Sequence, residues 1–474
     1  MAIRKQLTMF DVINLVVGAI VGADIYIAAS FGSGLLGPAS LIAWIVAGIF
    51  ATIVALTFAK CSGIIKQVGG PYAYAKQAFG HFYGFITGWS LWLAELTALC
   101  VFPLAFTTYL SFFMPLDFMG RSIAILLFVS FLFATNYFGV KKAARTNDII
   151  TLLKLAPLFI LIAAGIFWIF SNPAGALANF TPFAPLGFGG FGTAIVLIFW
   201  AYAGFELATI PTSDIKNSEK VVPKAIMWGM LIVCVFYLLT NIVIVGASNY
   251  TDLAKQSAPL VYVSLFLMGG VGAVIMAIGA MISVSGSDES GLIGSVRLAY
   301  AMAADGYFPK KLASVHKEYS TPYVSLAFHS IVAFFASAFL PIKDLITFSV
   351  FNLAFAYIMV ALSAVKLRKD KETKILSVAS VLICIYLISQ SGLMNVAAGI
   401  VVLAIGLPIY IFFSPKSEIK EAKEFLMKEE NLLKRRLEKE NVFLARAVKH
   451  LKIHSRKRKK IYKKLLNGGK VGGT

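Results

Sequence analysis

Two apolar stretches of this sequence each combine glycine with a carboxylate near the middle of the stretch. The first contains Gly18, Gly22 and Asp24, and the second contains Gly204 followed two residues later by Glu206. Glycine favours a local break in a helix, and helix ends expose N–H and carbonyl groups that bind small charged ligands. A break exposed to lipid would leave those groups without partners, so each break must line a protein or water cavity. The pattern therefore predicts two broken helices beside a polar cavity.

Further ionisable residues lie inside apolar stretches, where an ionised group is costly and is a functional candidate by default. Lys154 is one of them, and a buried lysine titrates readily. The alternative is a lysine that extends its chain to the membrane surface. Asp288 and Glu289 are consecutive, so they point about 100° apart on a helix and at most one faces Lys154. Glu95 is a further acid of this kind, and the sequence identifies no partner for it.

The same sequence argues against an enzyme, a metal site or a cofactor. Catalysis would need a nucleophile with a nearby base, or a metal cluster. The histidines are His81, His316, His329, His450 and His454, and only the last two are close together. The cysteines Cys61, Cys100, Cys234 and Cys384 have no metal or disulfide spacing and fit small apolar packing residues. No phosphate-binding loop is present, which disfavours an ATP-driven pump.

The elements that must position the polar residues are membrane-spanning helices. The chain has 474 residues, of which 59% are hydrophobic and 14% charged, whereas soluble proteins carry about 25% charged residues. A span needs about 20 apolar residues. We predict an all-α polytopic membrane protein with twelve spans, at 11–36, 40–60, 82–113, 120–138, 148–170, 191–212, 225–247, 262–303, 323–340, 345–365, 375–390 and 394–413.

The formal net charge of +20 is distributed unevenly between alternate loops. Nineteen of the 43 Lys and Arg lie in the stretches 1–10, 60–81, 139–148, 213–224, 304–322 and 366–374. The loops on the opposite side hold three, which are Arg121, Lys255 and Lys343. This asymmetry is the positive-inside pattern of a cell-membrane protein with both termini in the cytoplasm. The positive charge therefore does not require a nucleic-acid partner.

The sequence divides into a membrane domain, residues 1–413, and a basic cytoplasmic tail, residues 414–474. The tail holds a further 19 Lys and Arg, and residues 416–467 have a helix-forming composition. Leu437, Leu444 and Leu451 recur every seven residues, as in a short coiled coil. A helical tail could contact another subunit or anionic lipid, and a merely solvated tail is the alternative.

Five short motifs follow one another along roughly residues 5–413. They are Gly18 to Tyr26; Gly69 to Tyr74; Phe79-Gly80 with Gly84 to Trp89; Phe199 to Glu206 with Asp214 to Asn217 and Pro223 to Ile226; and Arg297 with Tyr300 to Ala303 and Asp305 to Pro309. In this order and spacing they resemble the amino acid–polyamine–organocation transporter family. The resemblance implies a LeuT-type fold, a five-plus-five inverted repeat with two extra helices, and alternating access. Paired breaks in spans one and six agree with such a repeat.

The resemblance also implies a binding site made largely of backbone. In the family, the unwound first helix donates N–H groups to the substrate carboxylate, and the matching residues are Gly22, Ala23, Asp24 and Ile25. Carbonyls of the sixth helix accept the substrate amine, and the matching residues are Trp200, Ala201 and Tyr202. Trp200 corresponds to an aromatic gate that packs over substrate and attracts cations, and Tyr202 would close the site beside it.

The coupling residues implied by the resemblance are Lys154, Glu206, Ser283, Asp288 and Glu289. In some proton-coupled relatives a lysine occupies the position that a sodium ion takes in sodium-coupled ones, where serines of helix eight line it. The match at Lys154 therefore implies proton coupling, or ion-free exchange, instead of sodium coupling. Here Ser283 is followed by Ser285 and Ser287 in that helix. In related exchangers the acid at the position of Glu206 senses protons.

Asp24 departs from the family pattern, which has glycine at this position. A carboxylate there would repel a substrate carboxylate, which favours a cationic amine such as a polyamine. Alternatively, Asp24 caps the second half of the broken helix.

We therefore predict secondary active transport of amino acids, coupled to protons, across a lipid bilayer. A transporter or exchanger of polyamines or cationic amines is one alternative, and a substrate sensor on a transporter scaffold is another. No nucleic acid, metal or cofactor is expected as a partner.

Overall fold

The computed structural model describes residues 8–62, 65, 70–138, 143–206, 215 and 217–415, with the backbone alone for residues 143–152. The secondary structure of these residues is helical. The helices are α1 Met9–Ile20, α2 Ala23–Leu36, α3 Ser40–Ser62, α4 Pro71–Phe79, α5 His81–Leu110, α6 Phe118–Tyr137, α7 Ala143–Ser171, α8 Pro173–Phe180, α9 Phe191–Trp200, α10 Ser218–Ala247, α11 Tyr250–Leu253, α12 Pro259–Ala304, α13 Tyr323–Phe339, α14 Ile342–Leu367, α15 Lys371–Gln390 and α16 Leu393–Phe413. The predicted tail lies outside the described residues beyond Pro415.

Nine helical segments within the described residues are long and apolar enough to cross a membrane, and α2 with α3 forms one of them. Three more helices, α1, α9 and α13, are apolar but shorter. Both α1 and α9 are short because each ends at one of the breaks indicated by glycine. The chain is therefore a helical multi-pass membrane protein. The count of twelve spans and the inverted repeat remain predictions.

Helix α5 lies at the centre of the bundle and is joined to its neighbours by buried polar groups. Trp89 Nε1 donates to the Val402 carbonyl of α16 at 3.0 Å, and Ser90 Oγ donates to the Asn352 carbonyl of α14 at 2.8 Å. Trp92 Nε1 donates to His329 Nε2 of α13 at 2.9 Å. Hydrogen bonds of this kind hold helices together where water is excluded. They fix the rotation of α5, which carries Glu95.

A polar cluster joins α4 to the end of α12, on the side that the sequence predicts to be cytoplasmic. The Lys76 ammonium lies 2.8 Å from the Asp305 carboxylate, and the Tyr72 hydroxyl donates to the same carboxylate. His81 Nδ1 lies 2.8 Å from the Tyr307 hydroxyl. Partial burial alone would raise the pKa of Asp305, but the hydrogen bonds from Lys76 and Tyr72 outweigh it and hold the pKa below its usual value. Two of the sequence motifs thus meet in this cluster.

The substitution Asp305→Asn is expected to lower thermal stability at pH 7 modestly, by roughly 1 kcal/mol or less, because both partners of the ion pair are partly exposed. The pKa of Asp305 is depressed in the folded state, so its contribution is complete above the unfolded value of about 3.9 and disappears as pH falls through the folded value. Thermal unfolding in detergent would measure the difference. Asp252→Asn is the control, because Asp252 lies 4.0 Å from the exposed Lys255. Equal melting temperatures of wild type and Asp305→Asn at pH 7 would contradict the expectation.

Candidate functional site

The first break separates α1 from α2 at Val21 and Gly22. Gly22 precedes α2 without offering a side-chain cap, so the first-turn N–H groups of Ala23, Asp24 and Ile25 depend on other partners. The Asp24 carboxylate accepts a hydrogen bond from its own N–H. A Cβ atom at Gly22 would lie 2.7 Å from Ser287 Oγ. Only glycine therefore allows α12 to approach the break this closely.

The second break begins where α9 ends at Trp200. Residues 201–206 leave the α-helical path, and Gly204 has a φ of +114°. A Cβ atom on Gly204 would lie 2.8 Å from the Ala19 carbonyl oxygen of α1. The Gly204 N–H donates to Glu206 Oε2 at 3.0 Å. The two broken segments therefore meet, with backbone against backbone.

The side chain of Lys154 connects the end of α1 to α12. Its ammonium donates to the Gly18 carbonyl at 3.2 Å and to Ser287 Oγ at 3.0 Å, and the side chain is 2% exposed. Ser287 Oγ in turn donates to the Val21 carbonyl at 3.1 Å. These contacts satisfy carbonyls that the end of a helix leaves without intrahelical partners.

Two further side chains complete the environment of these carbonyls. Ser283 Oγ donates to the Val21 carbonyl at 3.4 Å, and the Tyr237 hydroxyl donates to the Ile20 carbonyl at 3.2 Å. Ser285 instead donates to the Met281 carbonyl of its own helix. The serines at 283 and 287 are four residues apart, so they lie on one helix face.

A cavity of about 50 Å³ lies between the breaks. Its walls include three carboxyl side chains, from Asp24, Glu95 and Glu206, together with Trp200 and Ser287. About 10–15 Å³ of such space holds one water molecule, so the cavity has room for only a few. An amino acid therefore does not fit without movement of the surrounding helices.

Glu95 and Glu206 approach each other in the wall of this cavity, although they are 111 positions apart in the sequence. Their carboxyl groups are within hydrogen-bonding reach of each other. The Tyr357 hydroxyl of α14 lies beside both. Two adjacent carboxyl groups cannot both ionise at low cost, so the arrangement suits a pair that shares a proton.

The structure brings some of the predicted site residues together and separates others. Asp24, Trp200 and Glu206 line the cavity, whereas Ala201 is buried outside its walls. The Tyr202 hydroxyl donates to the Trp44 carbonyl of α3 at 3.1 Å. Its ring lies outside the cavity walls in this structure, and a closing role for Tyr202 remains a prediction.

The two consecutive acids of α12 also separate. Glu289 and Asp24 lie within electrostatic range of the Lys154 ammonium. Asp288 is buried near Cys100 and Glu289. Within the described residues, the direct partners of Lys154 are the carbonyl and the hydroxyl, and neither acid is within ion-pair distance. The sequence alone does not identify a partner for Glu95, because no local pattern links it to Glu206.

Comparison with known proteins agrees with a membrane permease. A family model described as amino acid permease matches residues 7–427. The chain is 25% identical over 445 residues to the branched-chain amino acid permease BcaP of Bacillus subtilis, which covers 88% of this chain and 94% of that protein. It is 26% identical over 384 residues to the serine/threonine exchanger SteT of the same bacterium, covering 77% and 84%. It is 31% identical over 346 residues to the large neutral amino acids transporter small subunit 2 of Mus musculus, covering 69% and 63%.

Proposed function

This chain belongs to the amino acid permease family, and we propose that it is a secondary active transporter that moves an amino acid across the cell membrane in a proton-coupled, alternating-access cycle. The names of these relatives concern branched-chain, serine, threonine and large neutral amino acids, which supports this substrate class. We further propose that both termini lie in the cytoplasm, in accord with the charge asymmetry of the loops. Residues 1–413 would form the transport domain, and the basic tail would contact anionic lipid or another subunit.

The contacts of Lys154 are the main support for the proposed proton coupling. Its ammonium joins the Gly18 carbonyl to Ser287, and a neutral amine would donate more weakly than an ammonium. Loss of the proton would therefore loosen α1 from α12 at the break. Movement at this point would open or close the cavity beside Asp24, so the proton and the substrate would control the same helices.

In the proposed binding mode the two breaks hold the substrate by its backbone atoms. The N–H groups at the start of α2, which lack intrahelical partners, would hold the carboxylate, because a helix N-terminus attracts anions. Carbonyls of residues 200–202 would accept the ammonium group. Trp200 would cover the bound substrate, since it already lines the cavity at 4% exposure.

The direct test is uptake of labelled L-alanine, L-arginine and putrescine into proteoliposomes, with and without an inward proton gradient. Uptake of either amino acid that rises with the gradient is expected. Uptake that ignores the gradient but requires amino acid inside the vesicles would replace proton coupling with exchange. Failure of all three compounds, with the protein correctly inserted, would contradict the proposed substrates.

Asp24 supports a second candidate, transport of a cationic amine. Its carboxylate occupies the start of α2, where a substrate carboxylate would otherwise bind. A substrate without a carboxylate would avoid this repulsion, and its ammonium could approach Asp24 directly.

The substitution Asp24→Gly is expected to separate the two candidates. If the substrate is an amine, putrescine affinity should fall about tenfold, because a charge-assisted hydrogen bond contributes roughly 1.5–3 kcal/mol. If it is an amino acid, alanine affinity should rise, because a competing carboxylate has been removed. Binding to detergent-solubilised protein would measure both, with Asp344→Gly as a control outside the cavity. Unchanged affinity for both compounds would exclude a role for Asp24 in selectivity.

A further inference from the structure

We propose that Glu95 and Glu206 form one proton-binding unit, and that its shared proton holds the substrate site closed. Glu95 would thus be a coupling residue in addition to Lys154 and Glu206. The inference rests on the proton-coupled transport proposed above, and it extends that function to a residue of α5 whose partner the sequence does not indicate.

The two carboxyl groups come from different parts of the fold. Glu95 belongs to α5, whereas Glu206 lies in the irregular segment that follows α9. Both side chains line the cavity and are within hydrogen-bonding reach of each other. The contact therefore lies in the cavity wall and connects the central helix to the broken one.

The contact between the two carboxyl groups requires a proton. Two ionised carboxylates repel each other and have no hydrogen atom to share, whereas a carboxylic acid donates strongly to a carboxylate. Pairs of acids in contact commonly hold one proton between them. Removal of that proton would convert an attraction between α5 and the break into a repulsion.

Other charged and polar groups surround the pair. Asp24 lines the same cavity from α2, and its nearest cation is Lys154 of α7. Tyr357 approaches both glutamates from α14. On α12, Glu289 lies in the field of Lys154, whereas Asp288 is buried near Glu289. The cation among these groups is Lys154, and Asp24 and Glu289 lie in its field.

A hydrogen bond restrains the Glu206 side chain. Its Oε2 atom accepts the Gly204 N–H at 3.0 Å, and Gly204 touches the Ala19 carbonyl region of α1. Glu206 is thus tied to both broken helices. A change in its attraction to Glu95 would move the two breaks together relative to α5.

A proton cycle follows from this arrangement, in which one proton is bound on one side of the membrane and released on the other. A proton from water on the acidic side binds between the two carboxylates, and the site closes. After the site opens to the less acidic side, the same proton returns to water there. Both carboxylates are then ionised, and their repulsion favours release of the substrate.

Infrared spectroscopy of substrate-free protein with isotopically labelled glutamate tests the shared proton without any substrate. The carbonyl stretch of a protonated glutamate is expected in the wild type at pH 7 and should disappear in both Glu95→Gln and Glu206→Gln. Glu289→Gln is the control and should retain it. Absence of the band in the wild type, or its survival in either of the first two variants, would overturn the proposal.

A second experiment measures the effect on transport through exchange of L-alanine at different pH values. A glutamine at position 95 can donate an N–H to Glu206 at any pH, so Glu95→Gln should flatten a pH profile that in the wild type changes about tenfold per unit beyond the titration midpoint. Glu95→Ala, which cannot form the contact, should lose exchange. A wild-type pH profile in Glu95→Gln would contradict the coupling role. Should L-alanine not be transported at all, the proposed function fails, while the infrared result still decides whether the pair holds a proton.

Discussion

Replacing Lys154 with methionine is expected to reduce proton-driven uptake about a hundredfold or more. The ammonium makes two hydrogen bonds, to the Gly18 carbonyl and to Ser287 Oγ. Hydrogen bonds from a charged donor contribute roughly 1.5–3 kcal/mol each, and about 1.4 kcal/mol corresponds to a factor of ten. Methionine retains much of the apolar chain, so the protein should fold while losing both contacts. Uptake into proteoliposomes with and without a proton gradient would measure the effect.

The matched control is Lys255→Met, because the Lys255 side chain is 76% exposed and its ion pair with Asp252 is long, at 4.0 Å. An exposed pair of this kind contributes little to stability. Arginine at position 154 is not a conservative replacement, since its planar guanidinium has a different shape and holds its proton. We expect Lys154→Arg to bind substrate without proton-dependent uptake. Gradient-driven uptake by Lys154→Met at the wild-type rate would remove Lys154 from the coupling mechanism.

Replacing Gly204 with alanine is expected to reduce uptake about tenfold or more and to lower thermal stability. The positive φ of Gly204 is unfavourable for any residue with a Cβ, at a cost of about 1–2 kcal/mol. The added Cβ would also lie 2.8 Å from the Ala19 carbonyl oxygen, and backbone atoms cannot move aside as a flexible side chain can. The two breaks would therefore be forced apart. Uptake and thermal unfolding in detergent would measure the two effects.

Gly187→Ala provides the control for backbone strain alone. Gly187 also has a positive φ, of +63°, but a Cβ there would meet no atom within 4 Å. The difference between the two variants then isolates the contact between the broken helices. Equal uptake by Gly204→Ala and Gly187→Ala would show that this contact is not needed for transport.

Local sequence was sufficient to predict the helices and the breaks. Hydropathy depends on neighbouring residues, so it identified apolar helices that the structure contains. The glycines at 22 and 204 indicated the breaks because backbone freedom is a local property. The short motifs also indicated the family, which the match over residues 7–427 confirms.

The arrangement of side chains around the breaks could be predicted only in part. The sequence presented Lys154, Ser283 and Glu206 as candidates because polar groups are rare in apolar helices. The resemblance implies that Tyr202 closes the site, whereas in this structure its hydroxyl donates to the Trp44 carbonyl of α3. A rotation of the chain after α9 decides this direction, and hydropathy contains no information about it.

Long-range pairs were decided by the tertiary structure alone. Glu289, and not Asp288, lies in the field of Lys154 because the rotation of α12 selects one of two adjacent directions about 100° apart. Glu95 meets Glu206 because the buried hydrogen bonds of α5 fix its orientation toward the second break. Sequence determines which residues a helix carries and where it breaks, since those depend on near neighbours. Which of them share a proton or a cavity depends on how the helices rotate and pack against one another.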